Sequence, residues 1–170
     1  MTEGVHTVKL YDFGEGDSWT ATGRPAWENL EVRIASGSRP TSDSPVHVLG
    51  VRVRTGPGHR GYNIFELVPP EPLVLPESTT AMSLWVWGAN HDYTIEAHLA
   101  DCEDEYSIKP LGSLRFSGWR RITLQFAAPL SGTRFVKFVV RTAPVERAKS
   151  FEIRLAEFTA ITKGQVPGTL

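Results

Sequence analysis

Apolar and polar residues alternate along most of this chain, and the alternation has the two-residue period of strands, not the 3.6-residue period of helices. Val5–Phe13 reads as a first strand. Leu30, Val32 and Ile34 alternate with Glu31 and Arg33, and Leu49, Val51 and Val53 with Gly50, Arg52 and Arg54. A strand over Tyr62–Val68 is closed by Pro69, Pro70, Pro72 and Pro76, which impose an extended connection. Met82, Leu84 and Val86 share one face of the next strand, while Ser83, Trp85 and Trp87 share the other. Tyr93, Ile95, Ala97 and Leu99 alternate with Thr94, Glu96 and His98, and the run Asp101–Glu105 that follows reads as a hairpin loop. Ile122, Leu124 and Phe126 alternate after Trp119. Val136, Phe138 and Val140 alternate with Phe135, Lys137, Val139 and Arg141, which makes that strand apolar on both faces. Val145–Phe158 is ambiguous: Phe151, Leu155 and Phe158 have helical spacing, whereas Phe151, Ile153 and Leu155 have strand spacing. The alternation of Glu152 and Arg154 decides for strand.

About ten short strands separated by turn signals predict an all-β fold with little helix, an antiparallel β-sandwich or jelly roll. The 15 glycines and 12 prolines punctuate such strands and disfavour long helices. At 170 residues, one domain over 1–170 is expected, because two would leave two marginal cores. Residues 1–4 and 163–170 are expected to be loosely ordered.

Charge and the termini narrow the classes. The 18 Lys and Arg nearly balance the 19 Asp and Glu, so no basic excess exists to neutralise a phosphate backbone. Nucleic acid is therefore not an expected partner. No run of about 18 apolar residues is available to span a bilayer, and Met1–His6 lacks the basic and apolar regions of a signal peptide. The lone Cys102 sits among Asp101, Glu103, Asp104 and Glu105, where negative neighbours disfavour a thiolate. Neither an internal disulfide nor a catalytic thiol is expected.

Candidate chemistry is sparse. His6, His47, His59, His91 and His98 have no metal-ligand spacing and read as surface or loop residues. The acidic groups Asp101–Glu105 and Asp12, Glu15 and Asp17 lack calcium-loop spacing and read as solvated turns. Glu66, Glu96 and Glu152 lie at outward strand positions, but nothing selects a pair across which a sugar could be cleaved. Thr55–Gly61 (TGPGHRG) precedes a strand, so its glycines read as turn residues and not as a phosphate loop. Neither a catalytic residue nor a cofactor is expected. The outward Trp85 and Trp87 admit three readings: a platform for sugar rings, a protein contact, or a face covered by a loop of the same domain.

Five strings in order carry a resemblance: VLGVRVRTGPGHRGYNIFELVP, MSLWVWGANHDYTIEAHLAD, LGSLRFSGWRRITLQF, FVKFVVRTAP and FEIRLAEFTAIT. Together they resemble the FlaA family, the flagellar filament outer-layer (sheath) proteins of spirochaetes, over most of the chain after Val46. LYDFGEGDSW (Leu10–Trp19) is similar to the opening of many jelly-roll carbohydrate-binding modules, and FEIRLAEFTAI to their closing strand. The fold implied is galactose-binding-like, and the role implied is structural, not enzymatic. The partners implied are core flagellin (FlaB-like) subunits and neighbouring sheath subunits, in the periplasm after export. A carbohydrate-binding module is the alternative, with a glycan that no residue singles out. The chain departs from the family in lacking a signal, in being shorter than most members, and in carrying more acid over Asp101–Lys109. A coat subunit needs contact faces that a partner covers, so Trp85, Trp87, Arg52, Arg54 and Arg60 are the expected interface residues. Trp19, Trp27 and Trp119 sit at strand edges, where packing inside the sandwich is expected.

Overall fold

Twelve strands run through the described residues, and no helix interrupts them. The computed structural model describes residues 4–11, 13, 19–24, 29–36, 47–55, 64–142 and 149–163. The strands are β1 (Val5–Tyr11), β2 (Thr20–Arg24), β3 (Asn29–Ser36), β4 (His47–Thr55), β5 (Ile64–Val68) and β6 (Leu73–Val74). They continue with β7 (Thr79–Ala89), β8 (Tyr93–Ala100), β9 (Tyr106–Ser113), β10 (Ser117–Leu130), β11 (Arg134–Thr142) and β12 (Lys149–Lys163). One sheet has the order β10-β7-β12-β4-β3, with β1 also on β12; the other has the order β2-β5-β11-β8-β9, with β6 on β11. All pairings are antiparallel. The expected sandwich is therefore the observed one. Lys163 still pairs with Val5, so ordered structure reaches into the segment expected to be loose.

The alternation read from the chain builds the core. Leu49, Val51, Met82, Leu84, Val86, Ile153 and Leu155 from the first sheet meet Phe65, Leu67, Ile95, Ala97, Phe138 and Val140 from the second, all buried. Trp19 lies among them at 4% exposure, stacked on Phe138 with ring centroids 6.0 Å apart.

The register shifts at several points among the described strands, and two of these shifts explain where the period misled. In β12, Ala156 and Thr159 face Trp85 and Ser83, two adjacent rungs of β7, so β12 carries one extra residue there. Glu157 has φ 50° at this point. The bulge puts Leu155 and Phe158 on the same inward face, which is why they show a helix-like spacing within a strand. At the same place β12 exchanges its neighbour, from β4 up to Leu155 to β1 from Phe158 onward.

In β11 the register shifts between Phe135 and Lys137. Period two puts Phe135 on the face of Lys137 and Val139, but the extra residue turns it inward against Phe138, at a centroid distance of 4.5 Å. Phe135 and Val139 are both buried, so the second apolar face of this strand is not an exposed contact surface. Val139 is covered on the outer face because its neighbours there are tied down. Lys137 bonds Glu66 at 2.8 Å, and Arg141 bonds Glu96 at 2.9 Å.

Gly88 in β7 follows the inward parity of Val86, and the Phe116 ring takes the space a side chain would use. A Cβ there would lie 2.8 Å from the Phe116 carbonyl oxygen and 3.0 Å from its ring. Gly88→Ala is expected to cost about 1–3 kcal/mol through overpacking, read as a lower denaturant midpoint with an unchanged slope.

Between β6 and β7, the Glu77 carboxylate accepts the Ser131 hydroxyl at 2.7 Å and the Gly132 N–H at 3.0 Å, tying down the β10–β11 turn. These bonds, that from Ser131 first, hold its pKa below the ordinary 4.5. A carboxyl lowered in the folded state takes its proton later than in the unfolded chain. Its contribution to stability is therefore present above pH 4.5 and is lost as pH falls through the lowered folded value. Glu77→Gln is expected to flatten the acid side of the stability–pH curve, measured by urea unfolding across that range.

Candidate functional site

The outward face of the first sheet gathers the tryptophans. β7 lies between β10 and β12, and its outward positions form rungs across all three strands. Arg121, Trp85 and Ala156 make one rung, Trp119, Trp87 and Arg154 the next, and Thr123, Ser83 and Thr159 a third. Trp85 and Trp119 pack on the small buried pair Val48 and Ala156. Ala156 is small enough to let the indoles lie over the strands.

Each polar group on this face leans on an indole or on a neighbour. The Arg154 guanidinium lies over the Trp87 ring, 4.5 Å from its centroid, and its Nε is 3.3 Å from Glu152 Oε1. Arg52 reaches the same carboxylate at 3.8 Å, and its side chain is 56% exposed. Arg121 donates to Ser83 Oγ at 3.1 Å, and Ser83 Oγ lies 2.6 Å from Thr159 Oγ1. The Trp119 Nε1–H is buried and has no hydrogen-bond partner among the described residues. Among the charged side chains named on this face, Arg52, Arg121 and Arg154 outnumber Glu152. The surface is aromatic at its centre and cationic around it, the composition of interface hot spots.

Trp85, Trp87 and Arg52 are thus brought to one face, with both indoles half-buried. Arg54 stands two residues beyond Arg52 in β4, paired with Ser150, and its side chain is outside the described set. Arg60 and the TGPGHRG turn beyond Thr55 also lie outside it. Trp119 corrects the expectation of internal packing. It shares the parity of Arg121, Thr123 and Gln125, the polar side of β10, and that signal was present in GWRRITLQ. Arg121 and Arg154 join the face by the same parity.

The other candidates are tied up elsewhere. Glu66, Glu96 and Glu152 each sit in an ion pair. His98 is buried, not superficial, and its Nε2 lies 3.0 Å from Glu96 Oε1. Asp101 Oδ1 accepts the backbone N–H groups of Glu103 and Glu105, the ordinary work of a turn residue. Among the described residues no group of three or more His, Cys, Asp or Glu is placed to hold a metal ion. Asp12, Glu15 and Asp17 lie outside them.

Comparison with solved structures agrees with this architecture. The family 11 carbohydrate-binding module of Clostridium thermocellum in complex with a β-1,3-1,4-mixed-linked tetrasaccharide superposes with a TM-score of 0.58 at 13% identity, over 94% of this chain and 98% of that one. The module of the same family from a cellulosomal cellulase of that organism gives 0.57 at 14% identity, over 96% and 99%. At such identities the likeness is one of fold. In sequence, the chain is 24% identical over 140 residues to a flagellar filament outer layer-like protein of Brachyspira hyodysenteriae, covering 79% of this chain and 64% of that protein. Residues 28–133 match the family described as the flagellar filament outer layer protein FlaA, and that span holds β3 to β10 and all three face tryptophans. The chain belongs to the FlaA family of flagellar filament outer layer proteins.

Proposed function

We propose that this chain is a non-enzymatic structural subunit of the outer layer of a periplasmic flagellar filament, associating with core flagellin and with neighbouring layer subunits. A single domain over 1–170 serves as the rigid unit of that layer, and the outward face of Trp85, Trp87 and Trp119 is a protein-docking face. The observation that carries this reading is that face itself. Three indoles and their stacked arginine are gathered on the outside of a sheet, where a lone domain gains nothing from leaving apolar area in water. Membership of the outer-layer family supports the location and the kind of partner. The ion pairs that occupy Glu66, Glu96 and Glu152 speak against a free pair of carboxylates for glycan cleavage.

The test is co-sedimentation of the purified chain with core filaments stripped of their outer layer. Saturable pelleting at micromolar concentration is the expected result, and a chain left in the supernatant refutes the reading. A carbohydrate-binding module is the second reading, favoured by the fold and by indoles able to stack on sugar rings. Calorimetric titration with a mixed-linked β-glucan oligosaccharide separates the two: no heat of binding is expected, and saturable heat lost in Trp87→Ala would favour the module.

A further inference from the structure

The face has a cationic rim, and the same molecule carries its complement. The β8–β9 hairpin is built around Asp101. Its Oδ1 accepts from Glu103 N at 2.8 Å and Glu105 N at 2.9 Å, and its N–H donates to Glu105 O at 3.0 Å. Arg134 donates to Asp101 O at 3.1 Å and pairs with Asp104. The loop is therefore held in one shape from inside. Asp101 and Asp104 are consumed by that work, while Glu103 and Glu105 are exposed and make no ion pair among the described residues.

Opposite charges are left over elsewhere. Arg121 is exposed and, among the described residues, engages only the Ser83 hydroxyl, and Arg52 is only loosely paired with Glu152 at 3.8 Å. On the outer face of the second sheet, the described charges Glu66, Lys137, Glu96 and Arg141 pair among themselves. The hairpin belongs to the second sheet, and the tryptophan face points away from that sheet, so a chain cannot insert its own hairpin there. With a formal net charge of −1, attraction between copies has to come from segregated patches.

We infer that the tryptophan–arginine face receives the Asp101–Glu105 hairpin of a second copy, with Glu103 and Glu105 meeting Arg52 and Arg121 around the indoles. This rests on reading the face as a protein-docking surface, and it assigns that face to the neighbouring subunit instead of to the core. Hairpin and face are different patches, so the contact is head-to-tail. Where the rotation between copies does not close a ring, such a contact repeats into a row of subunits, as an outer layer requires.

The experiment is sedimentation velocity on the full chain with two charge-reversed variants, Arg52→Glu/Arg121→Glu and Glu103→Arg/Glu105→Arg. The unaltered chain is expected to associate with rising concentration, and less so as salt rises. Each variant alone, folded by circular dichroism, is expected to associate at least tenfold more weakly. An equimolar mixture of the two is expected to regain association, since each then offers the patch the other lacks. The inference is overturned by a monomeric unaltered chain, by variants that associate as well as it does, or by a mixture that stays monomeric. A chain that is monomeric alone yet pellets with stripped filaments overturns the inference and leaves the outer-layer reading standing. One that self-associates but never pellets does the reverse.

Discussion

Phe138→Ala is expected to lower the unfolding free energy by about 3–5 kcal/mol, the range for truncating a fully buried phenylalanine. Phe138 is 0% exposed and stands at the meeting point of both sheets. Its ring lies 4.5 Å from Phe135, 5.1 Å from Phe158 and 6.0 Å from Trp19, so three aromatic neighbours lose a partner together. Phe135 and Phe158 reach it through bulged segments, and those backbones have little freedom to move into the space left behind. Chemical denaturation monitored by tryptophan fluorescence measures the effect directly, because Trp19 is stacked on the truncated ring. A loss below about 1 kcal/mol would mean that this cluster is not the centre of the core.

Trp85→Ala/Trp87→Ala is expected to act on assembly far more than on folding. Both indoles are half-buried on the outward face, so their removal leaves the inter-sheet core intact. The stability cost comes from Trp85 on Val48 and Ala156, and from Trp87 beneath Arg154, whose cation–π contact is worth about 0.5–1 kcal/mol. At an interface a buried tryptophan carries about 2 kcal/mol or more, so assembly into a layer on stripped filaments, in which this face meets a neighbouring copy, is expected to weaken at least about 30-fold. Sedimentation of the double variant beside the unaltered chain reads this out, with the melting temperature recorded for both. Equal pelleting by a folded variant would remove the face from the assembly.

The strands themselves were legible in the chain because side chains of a strand alternate strictly between two faces. From Met82 to Gly88, β7 follows its alternation, as do β4 and the core half of β10, and the Trp85–Trp87 face follows from the same rule. β2 and β9 escaped notice. β2 (TATGR) has no large apolar residue, and β9 is an edge strand with Tyr106 and Ile108 exposed and Lys109 and Pro110 in its middle. The outward place of Trp119 is legible in the polar parity of its own strand, which its position near a strand edge does not override.

Sequence alone thus determined the all-β class, the inward and outward faces of the regular strands, and the likeness to the outer-layer family. Those properties depend on local periodicity and on strings of residues. The tertiary structure decided what depends on the neighbouring strand. An extra residue in β11 turned Phe135 inward, and one in β12 set Leu155 and Phe158 on one face. Ion pairs closed over Val139, and the Glu96 carboxylate engaged His98. The pairing of β7 with β10 and β12 drew Trp119, Trp85, Trp87 and Arg154 into one surface. A bulge is one residue counted against a partner strand, so no period measured along a single strand contains it.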